Sequence, residues 1–299
     1  MTALVLLLLG LNSGGNIVPW NHPLVWISIL LSAVFLVGFV YVEKNIAIEP
    51  IIPMDQLYKR TVLAACFTNF FGSMAFMGIF FYAPIYFQIR GDSTSAAGAK
   101  LAPISLGVGL GSISVGIFMK VWGKYYWLNV FMMIILVGAF ASECTMQLNT
   151  PLWPILVGFF VIGFGHSSLL TITLTAFVAA VEHRYQAVIT SASYAFRSTG
   201  ATIGITICSV VFQNVLSHEL WDRLGNRDGA AEIIVKVRER LDYVQTLEPS
   251  WKEPVLNIYM DAIRGVFLAV TAMAILSALF SLLMREHKLH TNLARREST

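Results

Sequence analysis

The chain has 299 residues, of which 57% are hydrophobic and 12% charged, whereas an ordinary soluble domain carries about a quarter charged residues. Disorder, collagen and coiled coil are excluded, and a mean hydropathy of +0.70 makes lipid the solvent for most of the chain. The formal net charge of +3 is small, so where the charges lie says more than their sum. Three cysteines, Cys66, Cys144 and Cys208, show neither a disulfide framework nor metal-ligand spacing.

A helix rises about 1.5 Å per residue and needs roughly 20 apolar residues to cross a hydrocarbon core about 30 Å thick. The first apolar stretch, Thr2 to Leu11, is too short for that and lacks the basic start of a secretory signal. It reads as the second half of a membrane helix whose beginning is missing. Seven full spans follow at 24–42, 62–88, 101–119, 127–147, 152–181, 187–216 and 263–284. Runs such as Val157–Phe164 do not alternate, so a strand barrel is excluded and the chain is all-helical. The polar 217–262 segment is read as a loop, with Ile233, Val237, Leu241 and Val244 at the spacing of one short amphipathic helix.

Lysine and arginine in short loops set the orientation. One set of loops holds Lys44, Lys59, Arg60, Lys120, Lys124 and Arg184, joined by Arg285, Lys288, Arg295 and Arg296 of the tail; the opposite set holds Arg90 and Lys100. The first set and the tail are therefore placed in the cytosol.

Polar groups at membrane depth cost a few kcal/mol each and call for an explanation. Arg197, in Tyr194-Ala-Phe-Arg-Ser-Thr-Gly200, reads either as a cation facing an internal cavity or as an arginine snorkelling to headgroups. Gly200 and Gly204, like Gly107 and Gly111, are small-xxx-small pairs that permit close helix packing. Ser168, Thr171 and Thr175 share a helix face that either lines a polar path or bonds back to its own backbone. His166 is a proton carrier or a packing residue. Asn69, Ser73 and Phe76 share a face of their span, Tyr86 reads as an interfacial belt residue, and Glu143 lies near the non-cytosolic end, within reach of water. Nucleophile-elbow, phosphate-loop and zinc-protease motifs are absent, and His287 with His290 has no further ligand nearby. No catalytic set, metal site or cofactor is expected, and ATP-driven pumping by this chain is not expected either.

Five stretches carry a family resemblance: Ser13-Gly-Gly-Asn-Ile-Val-Pro-Trp20, Glu49-Pro-Ile-Ile-Pro53, Tyr86-Phe-Gln88, Gly116 through Gly123-Lys-Tyr-Tyr-Trp127, and Phe196-Arg-Ser-Thr-Gly200. They resemble the C-terminal portion of the fourteen-span drug:proton antiporter group of the major facilitator superfamily. The Gly-Lys-Tyr-Tyr-Trp loop is similar to that of fungal vacuolar amino acid transporters.

The resemblance implies an integral membrane chain in three parts. Residues 1–60 would hold a partial helix, one full span and a cytosolic linker; 61–284 the C-terminal six-helix domain with 217–262 as a non-cytosolic loop; and 285–299 a cytosolic basic tail. It implies a gating loop at Gly116, Lys120, Gly123 and Lys124, with Lys120 where the stronger N-domain copy has aspartate. Cavity-lining helices would carry Asn69, His166, Thr171, Thr175, Tyr194 and Arg197, whereas Glu143 would fall on an outer helix. The implied partners are the lipid bilayer, a small organic solute, protons and an N-terminal half lying outside these residues, with no nucleic acid. The expected activity is proton-coupled antiport of amino acids, basic ones foremost, across the vacuolar membrane. Drug or toxin efflux at the plasma membrane and a non-transporting half-transporter are the alternatives.

Overall fold

A computed structural model describes residues 2–14, 18, 20–45, 54–225, 227, 229–239 and 243–286. Glu49–Pro53, Leu241, the His287 and His290 pair, and Lys288, Arg295 and Arg296 lie outside them. The helices are, in order, α1 Thr2–Ser13, α2 Pro23–Asn45, α3 Met54–Leu57, α4 Arg60–Ile89, α5 Thr94–Ala99, α6 Ala102–Trp122, α7 Tyr126–Glu143, α8 Leu152–Ala180, α9 Gln186–Leu224, α10 Ala230–Glu239, α11 Tyr243–Thr246 and α12 Pro249–Ser281. Among the described residues, seven stretches are long and apolar enough to cross a membrane: α2, α4, α5 with α6, α7, α8, α9 and α12.

Local sequence explains where several of these helices begin and end. Ser93 caps α5 by accepting a 3.3 Å hydrogen bond from the Ala96 amide. Gly123 closes α6 in the left-handed conformation, at φ +67°, which lets its amide reach the Met119 carbonyl. Pro84 and Pro254 lie inside α4 and α12; each removes one backbone donor, the usual origin of a kink.

Two seams of glycine bring backbones together. On α6 and α8, a Cβ on Gly107 would overlap the Phe160 carbonyl, one on Gly111 the Phe164 carbonyl, and one on Gly163 the Ile104 carbonyl. On α4 and α9, a Cβ on Gly200 would overlap the Phe70 carbonyl, and one on Gly204 would crowd Met74. Both pairs run parallel: Gly107 to Gly111 advances with Phe160 to Phe164, and Gly200 to Gly204 with Phe70 to Met74. Helix α12 crosses α4 in the opposite sense: Gly78 meets Val270, Gly72 meets Ser277, and Ser277 Oγ donates to the Thr68 carbonyl at 2.8 Å. Phe280 stacks between Phe67 and Phe71. One end of the bundle is stitched: Arg60 Nε donates to the Leu283 carbonyl, the Arg285 amide to Thr61, and Tyr125 OH to the Arg285 carbonyl at 2.6 Å. Lys59, Lys124 and Arg184 border the helix ends gathered there.

The 217–262 segment differs from the expected loop. Helix α9 continues to Leu224 and α12 starts at Pro249, fourteen residues before the expected 263. An apolar run marks only the part of a helix suited to crossing a membrane, and both helices continue beyond their apolar parts. Between them, α10 does not run through Val244, which belongs to α11. Its buried face is Ala230, Ile234 and Val237, packed on the main core, while Ile233 is only partly buried. Tyr259 OH holds α10 to α12 by donating to the Val237 carbonyl at 2.6 Å.

Helix α1 lies on α2, with Gly10 against Val25, Ser28 and Ile29, and Ser32 Oγ donating to the Ala3 carbonyl. Most of α2 is exposed, from Trp26 to Tyr41, the surface expected of a helix whose remaining neighbour is lipid.

Candidate solute pathway

The polar side chains buried at mid-bundle collect along one seam where α8 and α9 face α4. Asn69 is 3% exposed, and its amide is fully engaged: Nδ2 donates to Ser193 Oγ of α9 at 2.8 Å, and Oδ1 accepts from Thr173 Oγ1 of α8 at 2.9 Å. Two turns along α4, Phe76 stacks on the His166 imidazole with centroids 4.0 Å apart and planes 7° from parallel. Thr173 and His166 thus fix α8 antiparallel to α4. Between these two levels sits Ser73, 3% exposed, whose Oγ has no hydrogen-bond partner; His166 Nδ1 has none either.

On α9, one turn past Ser193, is Arg197. It is half-buried, and its guanidinium carbon lies 4.8 Å above the Tyr194 ring centroid. Tyr194 itself is 54% exposed, so the seam opens outward at this level.

The hydroxyl stripe serves its own helix. Ser168 Oγ donates to the Phe164 carbonyl, Thr171 to the Ser167 carbonyl and Thr175 to the Thr171 carbonyl, at 2.6, 2.9 and 2.9 Å. Thr171 also meets Ser112 of α6 at 3.2 Å. Sequence reasoning missed Thr173 and Ser193, which bridge the helices. The signal was available in Asn69: a buried amide needs both a donor and an acceptor partner.

Of the proposed gating residues, Gly116 has nothing within 4 Å of a would-be Cβ, Gly123 is the helix cap, and Lys120 and Lys124 are exposed. Two expectations are corrected. Tyr86 is fully buried and not a belt residue, with its hydroxyl donating to the Gln147 carbonyl at 2.8 Å and accepting from Arg90 Nη1 at 3.1 Å. Glu143 is 1% exposed, out of water's reach, because side-chain-free Gly158 lets α8 close over it.

No protein-family model matches the chain. It is 30% identical to the Multidrug resistance protein fnx1 of Schizosaccharomyces pombe, over 99% of this chain and 56% of that protein. It is also 30% identical to the Vacuolar membrane amino acid uptake transporter fnx2 of the same yeast, over 97% of this chain and 51% of that protein. Its fold matches a bacterial homologue of the human lysosomal transporter Spinster, in an inward-facing and occupied conformation. That match has a TM-score of 0.62 at 15% identity and covers 95% of this chain and 66% of the other. The chain belongs to the major facilitator superfamily. It spans about half the length of the curated relatives it matches. Its relatives are transporters, and the seven long apolar helices among the described residues make it a multi-pass integral membrane protein.

Proposed function

We propose that this chain forms the C-terminal half of a secondary transporter that exchanges protons for a small organic solute, amino acids foremost, across the vacuolar membrane. One observation carries the reading. The seam of α4, α8 and α9 holds a half-buried cation, an exposed tyrosine and two unpartnered buried polar atoms at mid-helix. A membrane helix does not retain such groups cheaply unless they meet a solute or a partner. Transport by this superfamily's architecture shields a midplane site from each side in turn, and a proton crossing the membrane brings about 2.3 kcal/mol per 100 mV. The name of fnx2 supports amino acids and the vacuole for this chain.

The gating role of Gly116, Lys120, Gly123 and Lys124, the division at residue 60 and a cytosolic basic end belong to the same proposal. Uptake of labelled amino acids into isolated vacuoles, with this chain joined to a matching N-terminal half, tests it. Proton-dependent, saturable uptake is expected. Uptake indifferent to the proton gradient defeats the coupling, and efflux of unrelated drugs in place of amino acid uptake selects the reading that the name of fnx1 favours.

A further inference from the structure

The end of the bundle opposite the Tyr125 and Arg285 stitching carries a cavity of about 770 Å³, walled by the turn between α7 and α8 at Gln147, the end of α9 at Arg223 and the polar start of α12. We propose that this cavity seats the headgroup of a membrane phospholipid bearing a primary amine, with Lys252 and Arg264 on its phosphate and Glu253 on its ammonium. The site lies outside the mid-bundle seam and is independent of the solute carried.

The charges that line the cavity are of two kinds. Asp261 is fully engaged, its Oδ2 accepting from Arg223 Nη1 at 3.0 Å and its Oδ1 from Arg264 Nη1 at 3.3 Å. Arg223 is also held by Glu219, at 2.8 Å. Lys252 and Glu253, in contrast, form no ion pair among the described residues. Arg264 uses one nitrogen on Asp261 and keeps the rest of its fork of donors. An unpaired ammonium, a partly free guanidinium and an unpaired carboxylate in one cavity complement a ligand that carries both an oxyanion and a cation with N–H donors.

A free zwitterion has those charges too, but the surroundings of the cavity fit a lipid. Asn257, Arg264, Leu268, Ile275 and Leu279 fall on one face of α12 at helical spacing. Asn257 and Arg264 line the cavity, and Leu268, Ile275 and Leu279 are exposed. The polar wall therefore runs straight on into an uncovered apolar strip. Helix α12 meets α4 through Val270 and Ser277, on its opposite side, so the strip points away from the bundle interior and acyl chains can lie along it beneath a seated headgroup. Depth agrees with this placement: the apolar runs beside the cavity end near residue 147 and begin near 263. Trp153 of α8 and Trp221 of α9 lie exposed at the same end, as tryptophans at headgroup level do.

The test compares lipids with their soluble counterparts. The purified 299-residue chain in detergent is heated with phosphatidylethanolamine, phosphatidylcholine, phosphatidylglycerol, the tail-free headgroup glycerophosphoethanolamine, or L-arginine. Phosphatidylethanolamine is expected to raise the unfolding midpoint by roughly 5 °C near saturation. Phosphatidylcholine, whose methylated ammonium has no N–H for Glu253, and phosphatidylglycerol, which has no cation, should need about tenfold more lipid for the same rise. The tail-free headgroup and L-arginine should give no rise. Glu253→Gln should bring phosphatidylethanolamine down to the level of phosphatidylcholine, and Lys252→Gln should weaken all three lipids at least about threefold. Each variant is compared with its own lipid-free midpoint, so a change in folding alone does not imitate these results. Equal protection by the three lipids, no protection by any of them, or a preference for phosphatidylethanolamine that survives Glu253→Gln overturns the proposal. Protection by glycerophosphoethanolamine or L-arginine equal to that by phosphatidylethanolamine also overturns it and makes the cavity a site for soluble zwitterions.

Discussion

The amide of Asn69 is shared between two helices, and that sets what its loss should do. Removing it leaves Ser193 without its donor and Thr173 with only the carbonyls of Leu169 and Leu170 on its own helix. Interhelical hydrogen bonds in membranes are worth about 0.6 kcal/mol on average and up to about 1.7, and the vacated volume adds to this. Asn69→Ala should therefore destabilise the folded chain by about 1–2 kcal/mol in reversible detergent unfolding. Thr175→Ala, which breaks a bond within α8, should cost less than about 0.5 kcal/mol. Equal losses from both would mean that the Asn69 bridge contributes little. The sequence marked Asn69 because a polar amide stands out in an apolar run. Its partners were hidden, since Thr173 sits off the stripe of Ser168, Thr171 and Thr175, and only helix register shows which hydroxyl crosses the seam. The burial of Glu143 was hidden for a similar reason: it depends on Gly158 of a different helix.

At the scale of helices, the glycines divide into those that permit contact and those that do not touch anything. Gly107→Ala and Gly200→Ala each drive a methyl into a facing carbonyl, so α6 must move from α8 or α4 from α9; each should cost about 1–3 kcal/mol. Gly116→Ala meets open space and should be neutral or slightly stabilising, as alanine is the better helix former. Folded yield by size-exclusion chromatography distinguishes these cases, and a loss at Gly116 equal to that at Gly107 would remove the packing explanation. The pairs were readable from spacing, but the identity of the opposing helix was not. The seven crossings were legible because each contains a long enough apolar run. The full lengths of α9 and α12 were not, because 217–224 and 249–262 are polar yet helical and are held by Arg223 paired to Glu219 and Asp261. Orientation is tested by single cysteines in a background lacking the native three. Lys124→Cys should react with an impermeant maleimide from the cytosol, and Asn149→Cys from the other side. The reverse pattern inverts the topology.

For the whole molecule, the outward-opening seam at Tyr194 and Arg197 matters most. The chain alone, reconstituted in proteoliposomes with a pH gradient, should show no saturable solute flux, because the seam is a wall and alternating access needs the site shielded from both sides in turn. Co-expression with a matching N-terminal half should restore flux. Uncoupler-sensitive flux from the 299-residue chain alone would show that two copies can serve as the two walls. The junction of α4 with α12 has a consequence in time. Helix α4 carries Thr68, Asn69 and Ser73, and its interior neighbours are α8, α9 and α12, all of which emerge from the ribosome later. At synthesis rates of about 5–20 residues per second, α12 begins roughly 10–30 s after α4 is finished. During that interval α8 and α9 can already cover Asn69, whereas the face of α4 that meets Ser277 and Val270 stays open to its surroundings until the last helix arrives.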